Sequence, residues 1–130
     1  MTIYLGLFTM FFISCGEKED TSVAQTYIPT FTDLESDVFG VSCAFSSCHG
    51  SGTGGLLLNG EDDFERLVDI ESTVVAGEIL VVAGDSSASY LIKKMRGSDD
   101  IFGDMMPPGG LDEDIVQSVA NWIDAGAAKD

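Results

Sequence analysis

Two cysteines and the only histidine of the chain stand together as Cys43-Ala44-Phe45-Ser46-Ser47-Cys48-His49. This cluster limits the chain more than any other feature. With a single histidine, no site that needs two can be built, neither a His-x-x-x-His zinc site nor a facial pair on non-haem iron. A zinc site on Cys43, Cys48 and His49 has no fourth ligand of the common kind. Two readings survive. The cysteines can close a disulfide, which an exported domain permits. Alternatively, each thiol can add to a vinyl group of haem, and the adjacent imidazole then lies under the ring and reaches the iron. Covalent haem sites usually separate the cysteines by two residues; here four intervene. The extra residues can bulge outward without moving either sulfur far, and Ser46-Ser47 suits a bulge.

A complementary group lies far down the chain. Asp104-Met105-Met106-Pro107-Pro108-Gly109-Gly110 puts a thioether in a stiff loop just before a helix. Proline restricts the residue that precedes it, so Met106 is preferred to Met105 as a ligand. A methionine sulfur across the iron from the histidine raises the reduction potential. Met95 sits in a helical pattern and reads as core filler. Without Met106 on the iron, the open position would bind small gases.

The N-terminus reads as a separate object. Residues 1–14 carry no charge, and the apolar stretch 3–13 is shorter than the ~20 residues that span a bilayer. The length fits the apolar region of an export signal. Phe12-Ile13-Ser14-Cys15 then resembles a bacterial lipoprotein signal, with Cys15 as the acylated residue. The expected organisation is a lipoprotein signal peptide over 1–14, a flexible tether over 15–31 rich in Ser, Thr and Gln, and one domain over 32–130.

Within that domain, Thr32-Asp33-Leu34-Glu35 reads as a capping box opening a helix over 33–43. A second helix is expected from the acids 61–63 through Ile70, and a third from Ser86 or Ser87 through Met95, stopped by Gly97. Residues 79–82 are β-branched and read as extended. A fourth helix is expected over 111–125 with Ile115, Val119, Trp122 and Ile123 on one face, Trp122 packing against the Phe39 side of the first. Residues 50–55 read as a glycine-rich loop; no Gly-Lys-Ser/Thr ending follows to hold phosphate. Asp99, Asp100 and Asp104 miss the spacing of an EF-hand calcium loop.

Taken in order, Phe39 to Gly50, Gly54-Gly55-Leu56, Val82-Ala83-Gly84-Asp85, Ser89-Tyr90-Leu91, Met106 to Gly110 and Trp122 to Ala127 resemble the elements of a class I type cytochrome c domain. The likeness is to the small lipoprotein cytochromes of bacteria and covers about residues 32 to 128. It implies an all-α, cytochrome c-like fold of about four short helices around one covalently bound haem c, with glycine-rich loops. It implies Cys43 and Cys48 as attachment points and His49 and Met106 as iron ligands.

Acidic residues outnumber basic ones 22 to 6, for a formal net charge of −16. That balance disfavours nucleic acid, whose binding rests on Lys and Arg, and charge-driven docking on anionic membranes. It favours a basic redox protein as partner. Iron with both axial positions filled carries one electron and does no substrate chemistry. The expectation is therefore a non-enzymatic electron carrier without a small-molecule substrate, lipid-anchored on the periplasmic side of the cell envelope, with the outer membrane preferred. The alternatives are a non-redox, membrane-tethered binding module held by a Cys43–Cys48 disulfide, and a haem-based gas sensor.

Overall fold

The computed structural model describes residues 27–130. The signal, Cys15 and most of the expected tether lie outside the described residues. Among those described, the chain is all-α, with four α-helices, short 3₁₀ turns and no strand. Helix α1 spans residues 31–42, α2 Asp63–Leu67, α3 Tyr90–Arg96 and α4 Glu113–Asp124.

Helix α1 begins two residues before the expected start. The capping box that forms is Thr30 with Asp33, not Thr32 with Glu35: Thr30 Oγ1 accepts from the Asp33 amide at 3.2 Å and the Asp33 carboxylate accepts from the Thr30 amide at 2.9 Å. Both Thr-x-x-acid pairs are legible in the sequence. The upstream one prevails because it makes Phe31 helical and buries it against Phe64 at 5.2 Å, edge to face, and Trp122 at 5.6 Å. Phe31 thus belongs to the core rather than to a tether, and the folded part starts before residue 32. Trp122 meets α1 through Phe31, which in turn packs on Phe39 at 6.2 Å.

Midway, α1 widens into a π-turn over Glu35–Phe39, closed by the Gly40 amide donating to the Glu35 carbonyl. The helix ends at Ser42, one residue before the first cysteine. Leu34, Val38 and Phe39 join Val116, Val119, Ala120 and Ile123 of α4 and Ile92 and Met95 of α3 in one buried cluster. The buried positions of α4 recur three and four residues apart, the spacing of one helical face.

Helix α2 is shorter than its pattern. Val68 turns extended because it bridges Val81, and Asp69 takes φ 57°. Residues 79–82 are extended as expected, but they form isolated bridges, Glu71 to Ile79 and Val68 to Val81, not a ladder. Asp63 is buried at the start of α2, where its carboxylate accepts from the Asn59 and Gly60 amides and from Arg66, each at 3.0 Å. Ser89, not Ser86 or Ser87, stands at the N-cap of α3. Its hydroxyl is turned to the Val82 amide and the Asp85 carbonyl, both at 2.8 Å, so it fastens the extended segment instead of capping. Gly97, φ 67°, ends α3. Helix α4 is two residues shorter at its start than expected, and Ile115 is only partly buried while Val116 is fully so. No helix among the described residues is long and apolar enough to cross a membrane.

Candidate functional site

Between the end of α1, the face of α3 and the loop that follows α3 lies a cavity of about 410 Å³, inside the ~300–1,000 Å³ range of cofactor pockets. Its walls are largely apolar, with Phe39, Leu56, Leu58, Leu80, Leu91 and Met95 among them. Cys43, Cys48, His49 and Met106 all line it. The structure therefore brings the four sequence-predicted residues to one place, although Met106 is separated from Cys43 by more than half of the described chain.

The cysteine–histidine segment is a compact turn hung on α1. The Cys43 and Ala44 amides both donate to the Phe39 carbonyl at 2.9 Å, which keeps Cys43 against the helix end. The chain then swings out and returns. The Phe45 carbonyl accepts from the Cys48 amide at 2.8 Å and the Gly50 amide at 3.0 Å, and the His49 amide reaches the Cys43 carbonyl at 3.1 Å. Phe45, Ser46 and Ser47 are the exposed bulge, so the additional residues do project outward. The return is possible only because residue 50 is glycine: a Cβ there would lie 2.2 Å from the Ala44 carbonyl oxygen.

Both cysteines carry free thiols, half-buried at the cavity wall. Burial pushes the Cys43 thiol up to about 11, with the neighbouring Cys48 adding to the rise. In the folded chain Cys43 is therefore a neutral, weakly nucleophilic thiol at ordinary pH.

The imidazole of His49 is fixed by its far nitrogen. Nδ1 lies 3.1 Å from the Leu56 carbonyl oxygen. That contact assigns the proton to Nδ1 and leaves the Nε2 lone pair for a metal. Leu56 is held in turn because the Leu58 amide closes back onto the His49 carbonyl at 2.9 Å.

The two candidate methionines part company. Met106 lines the cavity and is 36% exposed. Met105 points elsewhere: a Cβ built on Gly97 would lie 3.1 Å from its sulfur, and one on Gly110 3.2 Å from its methyl. Met105 is thus a packing residue filling the space over two glycines, and Met95 is buried in the core. The loop carrying Met106 is tied to α3 at several points. The Met106 amide donates to the Lys94 carbonyl at 2.9 Å, and the Phe102 amide donates to Tyr90 Oη at 3.0 Å.

Tyr90 and Lys94 are site residues to which no sequence motif assigns a role. Their spacing of four residues, which places both on one side of α3, is the signal that joins them; both line the cavity.

The donor set suits a macrocycle rather than a bare ion. Among the described residues no group of three or more His, Cys, Asp or Glu side chains is arranged to hold a metal. One imidazole and one thioether cannot cage a naked cation, but they would suffice as two ligands to an iron whose other ligands come from a porphyrin. Two thiols beside the histidine would serve as attachment points. The residues present therefore fit a covalently attached haem.

Comparison with protein-family models, with curated proteins and with solved structures returns no match.

Proposed function

We propose that the chain is a monohaem c-type cytochrome that carries single electrons in the bacterial cell envelope. Cys43 and Cys48 would hold haem c through thioethers, and His49 and Met106 would bind its iron. The observation that carries this reading is the convergence of these four side chains on one apolar cavity, with Nδ1 of His49 already engaged by Leu56. Haem, when bound, supplies a one-electron iron couple.

The protein's own residues do the rest. Leu56 orients the imidazole and strengthens its donor nitrogen. The apolar wall excludes water, which lowers the local dielectric and helps set the potential. With His49 and Met106 both bound, the iron would have no open position, so the reading is a carrier and not an enzyme. In this reading Cys15 is the lipid-anchored residue, the domain is held on the periplasmic side, and the net charge of −16 selects a basic redox protein rather than nucleic acid.

Mass spectrometry of the exported, matured protein tests the proposal. The expected mass includes one haem, and haem staining survives a denaturing gel in the wild type but not in the Cys43→Ala/Cys48→Ala variant. Protein matured in cells competent for cytochrome assembly yet free of haem, or carrying a Cys43–Cys48 disulfide, overturns it. The anchor is read separately: Cys15→Ser is expected to leave the membrane fraction, and a variant that still fractionates with membranes removes the lipid anchor from the reading.

A further inference from the structure

Among the described residues there are five basic side chains, Arg66, Lys93, Lys94, Arg96 and Lys129. Four of them pair with carboxylates: Arg66 with Asp63 at 3.0 Å, Lys93 with Glu78 at 3.1 Å and Asp100 at 3.0 Å, Arg96 with Glu113 at 2.8 Å, and Lys129 with Glu65. Lys94 pairs with no carboxylate among the described residues, which include 19 acidic side chains. It is half-buried on the cavity wall, and its ammonium is spent on backbone instead. Nζ donates to the Phe102 carbonyl at 2.9 Å and to the Asp104 carbonyl. The main-chain carbonyl of the same residue accepts from the Met106 amide at 2.9 Å.

We propose that Lys94 is a positioning residue for Met106, its ammonium gathering the carbonyls of Phe102 and Asp104 so that the thioether is presented to the cavity. This rests on the haem reading above and assigns a role to a residue that does not itself touch the iron. A thioether is a weak ligand, and its binding depends on how little loop entropy remains to be lost. Residues 98–110 contain no helix, so the order must come from tertiary contacts. An ammonium on two carbonyls makes charge-assisted hydrogen bonds, about twice as strong as neutral ones. The backbone bond from Met106 survives any side-chain change at position 94, so a substitution isolates the ammonium's part.

The test uses the full, matured chain as wild type, Lys94→Met and Lys94→Arg. Two quantities are read: amide exchange over residues 102–106, and the weak sulfur-to-iron absorption near the red end of the oxidised spectrum. Lys94→Met is expected to keep its haem while exchange speeds up about tenfold, the scale of one lost charge-assisted bond, and the band fades. Lys94→Arg, which retains donors and charge, is expected to restore both. Lys94→Gln serves the same purpose should Lys94→Met fail to fold. A haem-loaded Lys94→Met with wild-type exchange and an undiminished band overturns the role of Lys94 alone. A wild type without haem overturns the haem reading and the positioning role with it.

Discussion

His49 Nδ1 lies 3.1 Å from the carbonyl oxygen of Leu56, seven residues downstream. A carbonyl can only accept, so the imidazole must donate from Nδ1. The segment that returns from the cysteine turn through residues 50–56 therefore fixes the tautomer before any cofactor arrives. In haem-free protein, nitrogen NMR of the neutral ring should show the proton on Nδ1. A neutral ring protonated predominantly on Nε2 contradicts the assignment of Nε2 to the iron.

The two methionines should separate cleanly. Met106→Ala is expected to abolish the sulfur-to-iron band of the oxidised protein and lower its potential. Met105→Ala should leave the band in place and instead destabilise the fold, by about 2–3 kcal/mol for removing a packed Met side chain, because its side chain fills the space over Gly97 and Gly110. Loss of the band in Met105→Ala exchanges the two roles. A wild type that lacks the band and readily binds carbon monoxide when reduced replaces the carrier by a sensor.

Gly50 is set by contact rather than by a turn type. A methyl group there would meet the Ala44 carbonyl oxygen at 2.2 Å and the Phe45 carbonyl oxygen at 2.9 Å, and backbone cannot step aside as a side chain can. Gly50→Ala should cost about 1–3 kcal/mol in chemical denaturation, the usual range for overpacking, and reduce haem loading. Ser46→Ala, on the exposed bulge, is the matched control and should change neither. Equal loading in Gly50→Ala would mean the turn has room that its geometry does not show.

What could be read from the sequence and what could not follows from the range of the interactions involved. The Cys43–His49 cluster, the Met106–Pro107 loop, the glycine after α3 and the amphipathic α4 are local patterns: the first two line one cavity, Gly97 ends α3, and α4 forms two residues later than expected. The π-turn of α1 is not local in that sense. It absorbs one extra residue within the helix that leads Phe39 and Cys43 to the same cavity, and no spacing rule announces it. The choice between two overlapping capping boxes was likewise made by tertiary burial of Phe31 against Phe64 and Trp122. Helix α2 stops early because Val68 pairs with Val81, a partner 13 residues away. By position Lys94 is a cation in the last turn of a helix, and only the loop folded over it reveals its carbonyl partners.

Asp33 gives the fold a pH dependence with a definite sign. The hydrogen bond from the Tyr27 hydroxyl, at 2.6 Å, with those from Thr30, holds its carboxyl below the usual carboxylate range. A group whose pKa is depressed on folding adds stability above its unfolded value, about 3.9, and loses that stability as the pH falls through the folded value. Asp33→Ala should therefore melt below wild type at neutral pH, and the gap should close as the pH drops below about 4. A gap that stays constant into acid would mean the contribution of Asp33 does not depend on its charge.

The final prediction concerns charge at long range. Residues 27–130 carry 19 acidic and 5 basic side chains, a formal charge of −14, so on the haem reading a redox agent approaching the cavity meets a negative field. Small inorganic redox agents probe this without a biological partner: hexaammineruthenium as the cation and ferricyanide as the anion. At ~10 mM salt the Debye length is about 30 Å, and at ~150 mM it is about 8 Å. Raising salt across that range should slow electron exchange with the cationic complex and speed it with the anionic one, since screening removes attraction in the first case and repulsion in the second. The slopes should have opposite signs. Parallel slopes, or a faster anionic agent at low salt after correction for driving force, would show that the acidic residues do not steer encounters at the cavity, and the basic partner would lose its physical basis.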